Sequence, residues 1–337
     1  MRCTQISEVY LFGPWIGEFA HEFLYWKDWV NAQALLMRGS QIVVSSFPGH
    51  HIFYPHCSEF IPHTIQSGIL AMSAHGPVVD GFVDGYPGQL SGITNRDKII
   101  KYTRLLKAYL KRRHPGSLVH LKAPFLLSDS DFHPFLVGSD LGYKVAQPLS
   151  HTWVKPQMPH RFQIASPSNS VKEHVIFRDL DPSRPSVCIF PRFRSIRRPD
   201  KNLSYEFYQD LCKWVLACGY NCLVIGSETG AYSFASFVGK GRLINLIDDI
   251  TPDLRLKLHT YALSLSKVAI GGLSGGMVYA LYNHVPSVVI GNPHQYHQLQ
   301  AENVNCTPLV YINTDQIDED EILYRARFLV EQTIRDL

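Results

Sequence analysis

The carboxyl-terminal half of the chain alternates short apolar runs with longer amphipathic segments. The apolar runs carry little polar alternation, which is typical of strands buried on both faces of a parallel sheet; they are VCIFP, NCLVIG, RLINLI, VAI and SVVIG. Between them, LSYEFYQDLCKWVLACG predicts a helix with Ser204 as its cap and Gly219 as its stop. TPDLRLKLHTYALSLS predicts another, with Thr251 as cap and Pro252 at its first position. This alternation predicts a doubly wound α/β sheet with ligands at the carboxyl ends of its strands.

The amino-terminal half carries a weaker version of the same pattern. SEVYLF (7–12) and QIVVSSF (41–47) predict strands, and the segment between them leads from a glycine turn into a helix that ends near Met37. A chain of 337 residues is long enough for two domains. We expect a first domain at 1–165, a linker at 166–185, a second domain at 186–317 and a terminal helix at 318–337. Packing of that helix against the first domain is one option.

The most informative stretch is the glycine-rich segment after the strand Val268–Ile270. Residues 271–276, GGLSGG, predict a turn that leads into the helix MVYALYNH and the strand SVVIG. Unpaired N–H groups at the start of such a helix favour an anion, and glycine lets the backbone approach a ligand closely. The candidate binding residues here are Gly272, Ser274, Gly275 and Gly276. A tight turn without a ligand is the alternative.

Two further strand ends should meet this turn at one crevice. Arg192 and Arg194 follow VCIFP, and guanidinium groups match phosphate oxygens in a bidentate manner. Ser227 and Glu228 follow NCLVIG, and Glu228 could accept hydrogen bonds from ribose or sugar hydroxyls. Arginines at one strand end and glycines at the next helix start predict a diphosphate site.

Acidic and aromatic residues follow the first predicted strand. Glu18, His21 and Glu22 lie within five positions, beside Trp15 and after Gly17. Carboxylates in a partly dry aromatic pocket suit general-base chemistry, so these three are the catalytic candidates and Trp15 and Gly17 are assigned to the acceptor. The alternative is that both glutamates only favour the positive end of a helix dipole.

Residues 97–113 predict an amphipathic helix with basic side chains along one face, Lys101 and Arg104 among them. This face could recruit an anionic acceptor such as DNA, or it could be an ordinary solvated surface. The net charge of +3 is too small to indicate a nucleic-acid partner by itself.

Composition narrows the class further. A chain that is 45% hydrophobic and 18% charged is globular rather than disordered. The first twelve residues show no signal-peptide pattern, and no apolar run approaches a membrane span. Seven cysteines without paired spacing predict reduced thiols and a cytoplasmic protein. The loop residues His50, His51, His56, Cys57 and His63 fit no standard zinc spacing, so we predict no metal.

These features together resemble a GT-B glycosyltransferase, an α/β fold of two facing Rossmann-like doubly wound domains. FPRFRS, GSETG and GGLSGGMVYALYNHVPSVVIG resemble the donor domain of heptosyltransferase-like enzymes. GPWIGEFAHEFLYW resembles a signature of phage and viral glycosyltransferase-like proteins, some of which modify DNA bases. In heptosyltransferase-like enzymes an acidic residue after the first glycine turn is the base, and Glu18 matches that position with Glu in place of the usual Asp. Residues 50–185 carry no resemblance.

The resemblance implies a metal-independent transfer of a sugar from a nucleotide-sugar, UDP- or GDP-linked, to an acceptor hydroxyl. A hydroxymethylated base of phage or viral DNA is one acceptor, in which case the protein acts in the host cytoplasm; a glycan or lipopolysaccharide is another. Three other possibilities stay open: an enzyme of the other large glycosyltransferase fold that binds metal through Asp129 and Asp131, a nucleotide-sugar epimerase, and a non-catalytic sugar- or nucleic-acid-binding protein.

Overall fold

The chain forms two compact units, each built on its own parallel sheet. The computed structural model describes residues 8–15, 19–37, 39–64, 96–123, 133–134, 164, 166–194, 202–237 and 243–336. The first unit is Met1–Ala165 and the second is Ser166–Leu337. Asp129 and Asp131, which the alternative glycosyltransferase fold would use to bind metal, lie outside the described residues.

In the first unit the strands lie in the order β3-β2-β1-β4-β5, and every neighbouring pair is parallel. The strands are β1 (Glu8–Phe12), β2 (Gln41–Ser46), β3 (Glu59–Pro62), β4 (Leu118–Ala123) and β5 (His133–Pro134). Apolar side chains of β1, β2 and β4 pack against Leu106 and Leu110 of one long helix. The strand order reverses direction between β1 and β4, as in Rossmann-like sheets.

Among the described residues, the helices of the first unit are α1 (Phe19–His21), a π-helical segment (Glu22–Trp26), α2 (Lys27–Leu36), a 3-10 helix (His50–Phe53) and α3 (Arg96–Arg113). The helix that the sequence predicts after the first strand is therefore present, but its second turn is π-helical. Such wide turns are rare and are frequently found at functional sites.

In the second unit the order is β8-β7-β6-β9-β10-β11, again with parallel neighbours. The strands are β6 (Ser186–Phe190), β7 (Asn221–Ile225), β8 (Leu243–Leu246), β9 (Ser266–Gly272), β10 (Ser287–Gly291) and β11 (Leu309–Asn313). All residues of β6, β7 and β10 are buried, which explains why their sequences lack polar alternation. The order reverses between β6 and β9.

In the described part of the second unit, helices precede β6, follow β11 and connect most of the strands between them. They are α4 (Asn169–Lys172), α5 (Tyr205–Ala217), α6 (Pro252–Leu265), α7 (Gly275–Tyr282), α8 (Tyr296–Glu302) and α9 (Glu319–Arg335), with 3-10 helices at Val175–Phe177 and Pro293–Gln295. Ser204 caps α5, because its Oγ accepts from the N–H of Phe207 at 3.0 Å. Gly219 ends that helix with a left-handed φ of 78°.

The glycine-rich segment differs from the sequence prediction, and two other segments lie in the second unit. The six-residue glycine turn is wrong: Gly271 and Gly272 belong to β9, and α7 already begins at Gly275, so only two residues turn. Residues 166–185, predicted as a linker, pack on the second unit; for example, the Phe177 and Tyr261 rings lie 5.0 Å apart. The terminal helix α9 buries its apolar face in the core of the second unit.

Within the part of the chain that the structure describes, no helix has the length and hydrophobicity that crossing a membrane requires.

Candidate functional site

The switch point of the second sheet lies between β6 and β9. The segment after the neighbouring β7 is joined to the segment after β6, because the N–H of Phe193 donates to the Gly230 carbonyl at 3.1 Å. The chain runs from β6 toward β8 on one side and from β9 toward β11 on the other. A crevice forms where the direction reverses, outside the carboxyl ends of the strands, and ligands of open α/β sheets bind there. Arg192 and Arg194 follow β6, and Ser274 follows β9.

The start of α7 packs closely on the end of β6. Ser274 is the N-cap of α7, and its Oγ accepts from the N–H of Met277 at 3.4 Å. A Cβ on Gly276 would lie 2.7 Å from the Phe190 ring, so only glycine fits this contact. The first turn of α7 contains no acidic residue, which leaves the positive end of the helix dipole uncompensated. These features suit an anion.

Arg192 is part of a buried arrangement rather than an exposed clamp. Arg192 is only 4% exposed, and its Nη1 donates a hydrogen bond to Oδ1 of Asn202. The same Asn202 side chain accepts from the backbone N–H of Arg194 at 3.1 Å and donates to its carbonyl at 2.8 Å. Asn202 therefore holds Arg192 and the backbone of Arg194 together.

Tyr208 of α5 connects the two strand ends. Its hydroxyl accepts from the N–H of Gly272, at the end of β9, at 3.3 Å. Burial raises the pKa of Tyr208, while the hydrogen bond from Gly272 and the charge of Arg192 lower it in part. The tyrosine thus lies beside both the arginine after β6 and the glycine that ends β9.

Sequence reasoning missed Asn202 and Tyr208. Tyr208 lies on the apolar face of α5, where a tyrosine looks like core, and Asn202 lies in a loop. No periodic signal marks either residue, because their partners are the backbone and side chains of distant segments.

The loop after β7 holds the remaining predicted donor residues. Ser227 and Glu228 are exposed, and the Glu228 carboxylate accepts from Arg255 Nη2 at 2.6 Å. The structure thus gives Glu228 an arginine partner that the sequence did not indicate. The ion pair involves Oε1, so the other carboxylate oxygen can still accept from a hydroxyl ligand.

In the first unit the turn after β1 is held between two neighbouring strands. The N–H of Gly13 donates to the Lys122 carbonyl at 2.9 Å, and the N–H of Trp15 donates to the Ser45 carbonyl at 2.9 Å. Gly13 has a φ of 115°, and a Cβ there would lie 2.3 Å from the Ser45 carbonyl oxygen. Only glycine can occupy this position.

The structure describes only some of the predicted acceptor and catalytic residues near this turn. Trp15 is buried, and its ring stacks on Trp26 at 5.6 Å, so in this arrangement it is a core residue. Gly17 and Glu18 lie outside the described residues, as does the side chain of His21. Lys101 and Arg104 are exposed on α3.

Glu22 lies in a buried polar cluster that connects three elements. Glu22 lies in the π-helical segment and is fully buried. Oε1 accepts from Ser46, at the end of β2, and from the Tyr54 hydroxyl at 2.6 Å. Oε2 lies 2.6 Å from Nδ1 of His50. Burial and then the charge of Glu22 raise the pKa of Tyr54 well above its usual value, so the tyrosine stays a donor.

The histidine-rich loop after β2 contributes to this cluster rather than to a metal-binding group. Across the described ranges, no group of three or more His, Cys, Asp or Glu side chains has an arrangement that could hold a metal ion. His50 is paired with Glu22, and the His51 ring contacts Phe60 at 5.8 Å.

Comparisons with known proteins show the fold. No protein-family model matches this chain, and no curated protein matches it. The structure is similar to that of E. coli ADP-heptose lps heptosyltransferase II, with 14% identity, a TM-score of 0.50, and coverage of 96% of this chain and 99% of that one. It is also similar to the glycosyl transferase family 9 structure from Veillonella parvula, with 11% identity, a TM-score of 0.53, and 97% coverage of each chain.

The predicted fold class is therefore confirmed. Both sheets are parallel and have the Rossmann strand order, and the similarity to these two structures extends over nearly the whole chain. The chain is an α/β protein with two Rossmann-like domains.

Proposed function

We propose that the protein is a glycosyltransferase that moves a sugar from a nucleotide-sugar to an acceptor hydroxyl. The observation that carries this proposal is the switch point of the second unit. There the buried Arg192 follows β6, and α7, whose first turn has no acidic residue, follows β9. Support also comes from the fold, which is similar to that of a heptosyltransferase.

In this proposal the second unit binds the diphosphate of the donor. When the bond between the anomeric carbon and the diphosphate breaks, negative charge develops on the leaving oxygen. Arg192, Arg194 and the N–H groups at the start of α7 would stabilise that charge. They would do so without a metal ion, because guanidinium groups and oriented amides supply the positive field.

The first unit would supply the base that takes the proton from the acceptor hydroxyl. Glu18 is the sequence-predicted base, and Glu22 and His21 are the other candidates. Glu22 already accepts three hydrogen bonds in a fully buried position, which argues against direct contact with an acceptor.

For the acceptor, we propose a glycan or lipopolysaccharide. One of the similar structures is described as an lps heptosyltransferase, which favours this class, whereas a DNA acceptor has only the exposed basic face of α3 in its support. An assay with lipopolysaccharide, oligosaccharides and hydroxymethylated DNA separates the two. Transfer to DNA alone would refute the glycan proposal.

A thermal-shift panel of UDP-, GDP- and ADP-linked sugars tests the donor half. A ligand at 100 times its Kd stabilises by about 2.7 kcal/mol, which raises the Tm of a domain of this size by about 5–10 °C. The Arg194→Ala variant should lose most of that shift, and the EDTA-treated protein should retain it. If no nucleotide-sugar stabilises the wild-type protein, the proposal is refuted. Conversion of the donor without any acceptor would indicate an epimerase.

A further inference from the structure

His50 lies at the carboxyl edge of the first sheet with a carboxylate directly behind its ring. It opens the 3-10 helix that follows β2, and its Nδ1 lies 2.6 Å from Oε2 of Glu22. Because Oε1 of Glu22 accepts from Ser46 and Tyr54, the carboxylate is held from β2 and from the loop after it. Glu22 is therefore fixed in place, and only Oε2 faces the histidine.

The other ring nitrogen of His50 is in a different environment. The His50 side chain keeps 14% of its surface exposed, and Nε2 makes no hydrogen bond among the residues that the structure describes. The rings of Phe19, Phe47 and Phe53 contact the imidazole at 5.8, 5.6 and 5.4 Å and hold its orientation. The geometry is that of a clamped imidazole with one nitrogen open to a ligand.

The carboxylate determines which ring nitrogen carries the proton in the neutral imidazole. An ionised carboxylate only accepts hydrogen bonds, so Nδ1 must be the protonated nitrogen and Nε2 must carry the lone pair. A lone pair on an accessible nitrogen, with the opposite nitrogen held by a buried acid, is the arrangement of a general base.

We propose that His50 is the base of the glycosyl transfer and that Glu22 is its positioning residue. This rests on the proposed function, and it assigns to His50 the step for which the sequence suggested Glu18. Nε2 takes the proton of the acceptor hydroxyl, and the oxygen lone pair forms the bond to the anomeric carbon. The bond from that carbon to the diphosphate breaks, its electron pair leaves with the nucleoside diphosphate, and the imidazolium later releases the proton to water.

The first test is the tautomer of His50, measured by 15N NMR on the whole protein. At a pH where the ring is neutral, the wild-type protein should carry the ring proton on Nδ1. In Glu22→Gln, Ser46 and Tyr54 still donate to the carbonyl oxygen, so the amide group must point at His50 and donate to Nδ1. The neutral ring should then change to the Nε2–H form, which has no lone pair for an acceptor. If Glu22 only stabilised the fold, its replacement by glutamine would not have to change the tautomer of His50.

The second test is activity. A general base contributes about 10²–10⁴-fold to a rate, so His50→Gln should lower kcat by about that factor while nucleotide affinity is unchanged. Glu22→Gln should also lower kcat. His56→Gln is the matched control, because it alters an exposed histidine of the same loop and should retain the wild-type rate.

Two results would overturn the proposal. One is an Nε2–H imidazole at His50 in the wild-type protein. The other is wild-type turnover by His50→Gln, above all if Glu18→Gln abolishes transfer. Failure of the proposed function has a different signature, since the wild-type protein would then bind no nucleotide-sugar at all, while the tautomer measurement would still decide how Glu22 and His50 are arranged.

Discussion

Replacing Gly13 by alanine should destabilise the first unit far more than replacing another glycine with a positive φ. Gly13 and Gly39 have φ angles of 115° and 95°, which L-residues rarely adopt. A Cβ on Gly39 meets nothing within 4 Å, whereas a Cβ on Gly13 lies 2.3 Å from the Ser45 carbonyl oxygen. The comparison therefore separates backbone strain from steric overlap.

The magnitudes follow from these two contributions. Strain at a positive φ costs about 1–2 kcal/mol, and the stiffer unfolded chain returns about 0.4–1 kcal/mol, so Gly39→Ala should cost about 1 kcal/mol. In Gly13→Ala the Ser45 carbonyl must also move away, which breaks its hydrogen bond from the N–H of Trp15. Leaving such buried groups unpaired adds about 1–3 kcal/mol, and the overlap itself adds more. We expect a total of about 3–5 kcal/mol.

Urea unfolding followed by tryptophan fluorescence measures this difference. Trp15, Trp26 and Trp29 lie buried together in the first unit, so the signal reports mainly on that unit. The midpoint should fall much further for Gly13→Ala than for Gly39→Ala. Equal midpoints for the two variants would show that the turn after β1 is not held against β2.

Three further predictions concern the second unit. Arg194→Ala should weaken nucleotide binding by about 10–100-fold, since a charge-assisted hydrogen bond contributes about 1.5–3 kcal/mol; unchanged affinity in calorimetry would move the diphosphate elsewhere. Gly276→Ala should also weaken binding, because its Cβ displaces the Phe190 ring 2.7 Å away, while helix propensity offsets the stability loss by about 1 kcal/mol; wild-type affinity would contradict this. Burial lowers the pKa of His259 to about 4 from an ordinary value of 6.5. The unfolded chain therefore binds this proton first, and stability should fall by about 3 kcal/mol as pH drops from about 6.5 to about 4. Acid unfolding of His259→Gln should lack that loss.

How much of the fold could be predicted is clearest in the second unit. VCIFP, NCLVIG and SVVIG become strands within one residue of the expected bounds, because burial on both faces demands apolar side chains at every position. Ser204 and Pro252 start their helices where the sequence indicates. The GGLSGG segment was misjudged because glycine permits strand, turn and helix alike, and its neighbours in space decide between them.

The candidate site could be predicted only in part. Arg192, Arg194 and Ser274 could be assigned to one edge from strand order, because parallel strands end at the same edge of a sheet. Asn202, which contacts Arg192 and Arg194, and Arg255, which pairs with Glu228, could not be found in this way. A hydrogen-bond partner from another segment leaves no periodic trace in the sequence.

What the sequence determined by itself is the α/β class, most strands and helices of the second unit, and the strand ends that carry polar chemistry. These depend on local periodicity, caps and glycine positions, all of which act between residues that are close along the chain. Only the tertiary structure decided that Glu22 is enclosed and that His50 has its outer nitrogen exposed. That distinction depends on which groups surround each side chain in space, and Ser46 and Tyr54 reach Glu22 from 24 and 32 residues away.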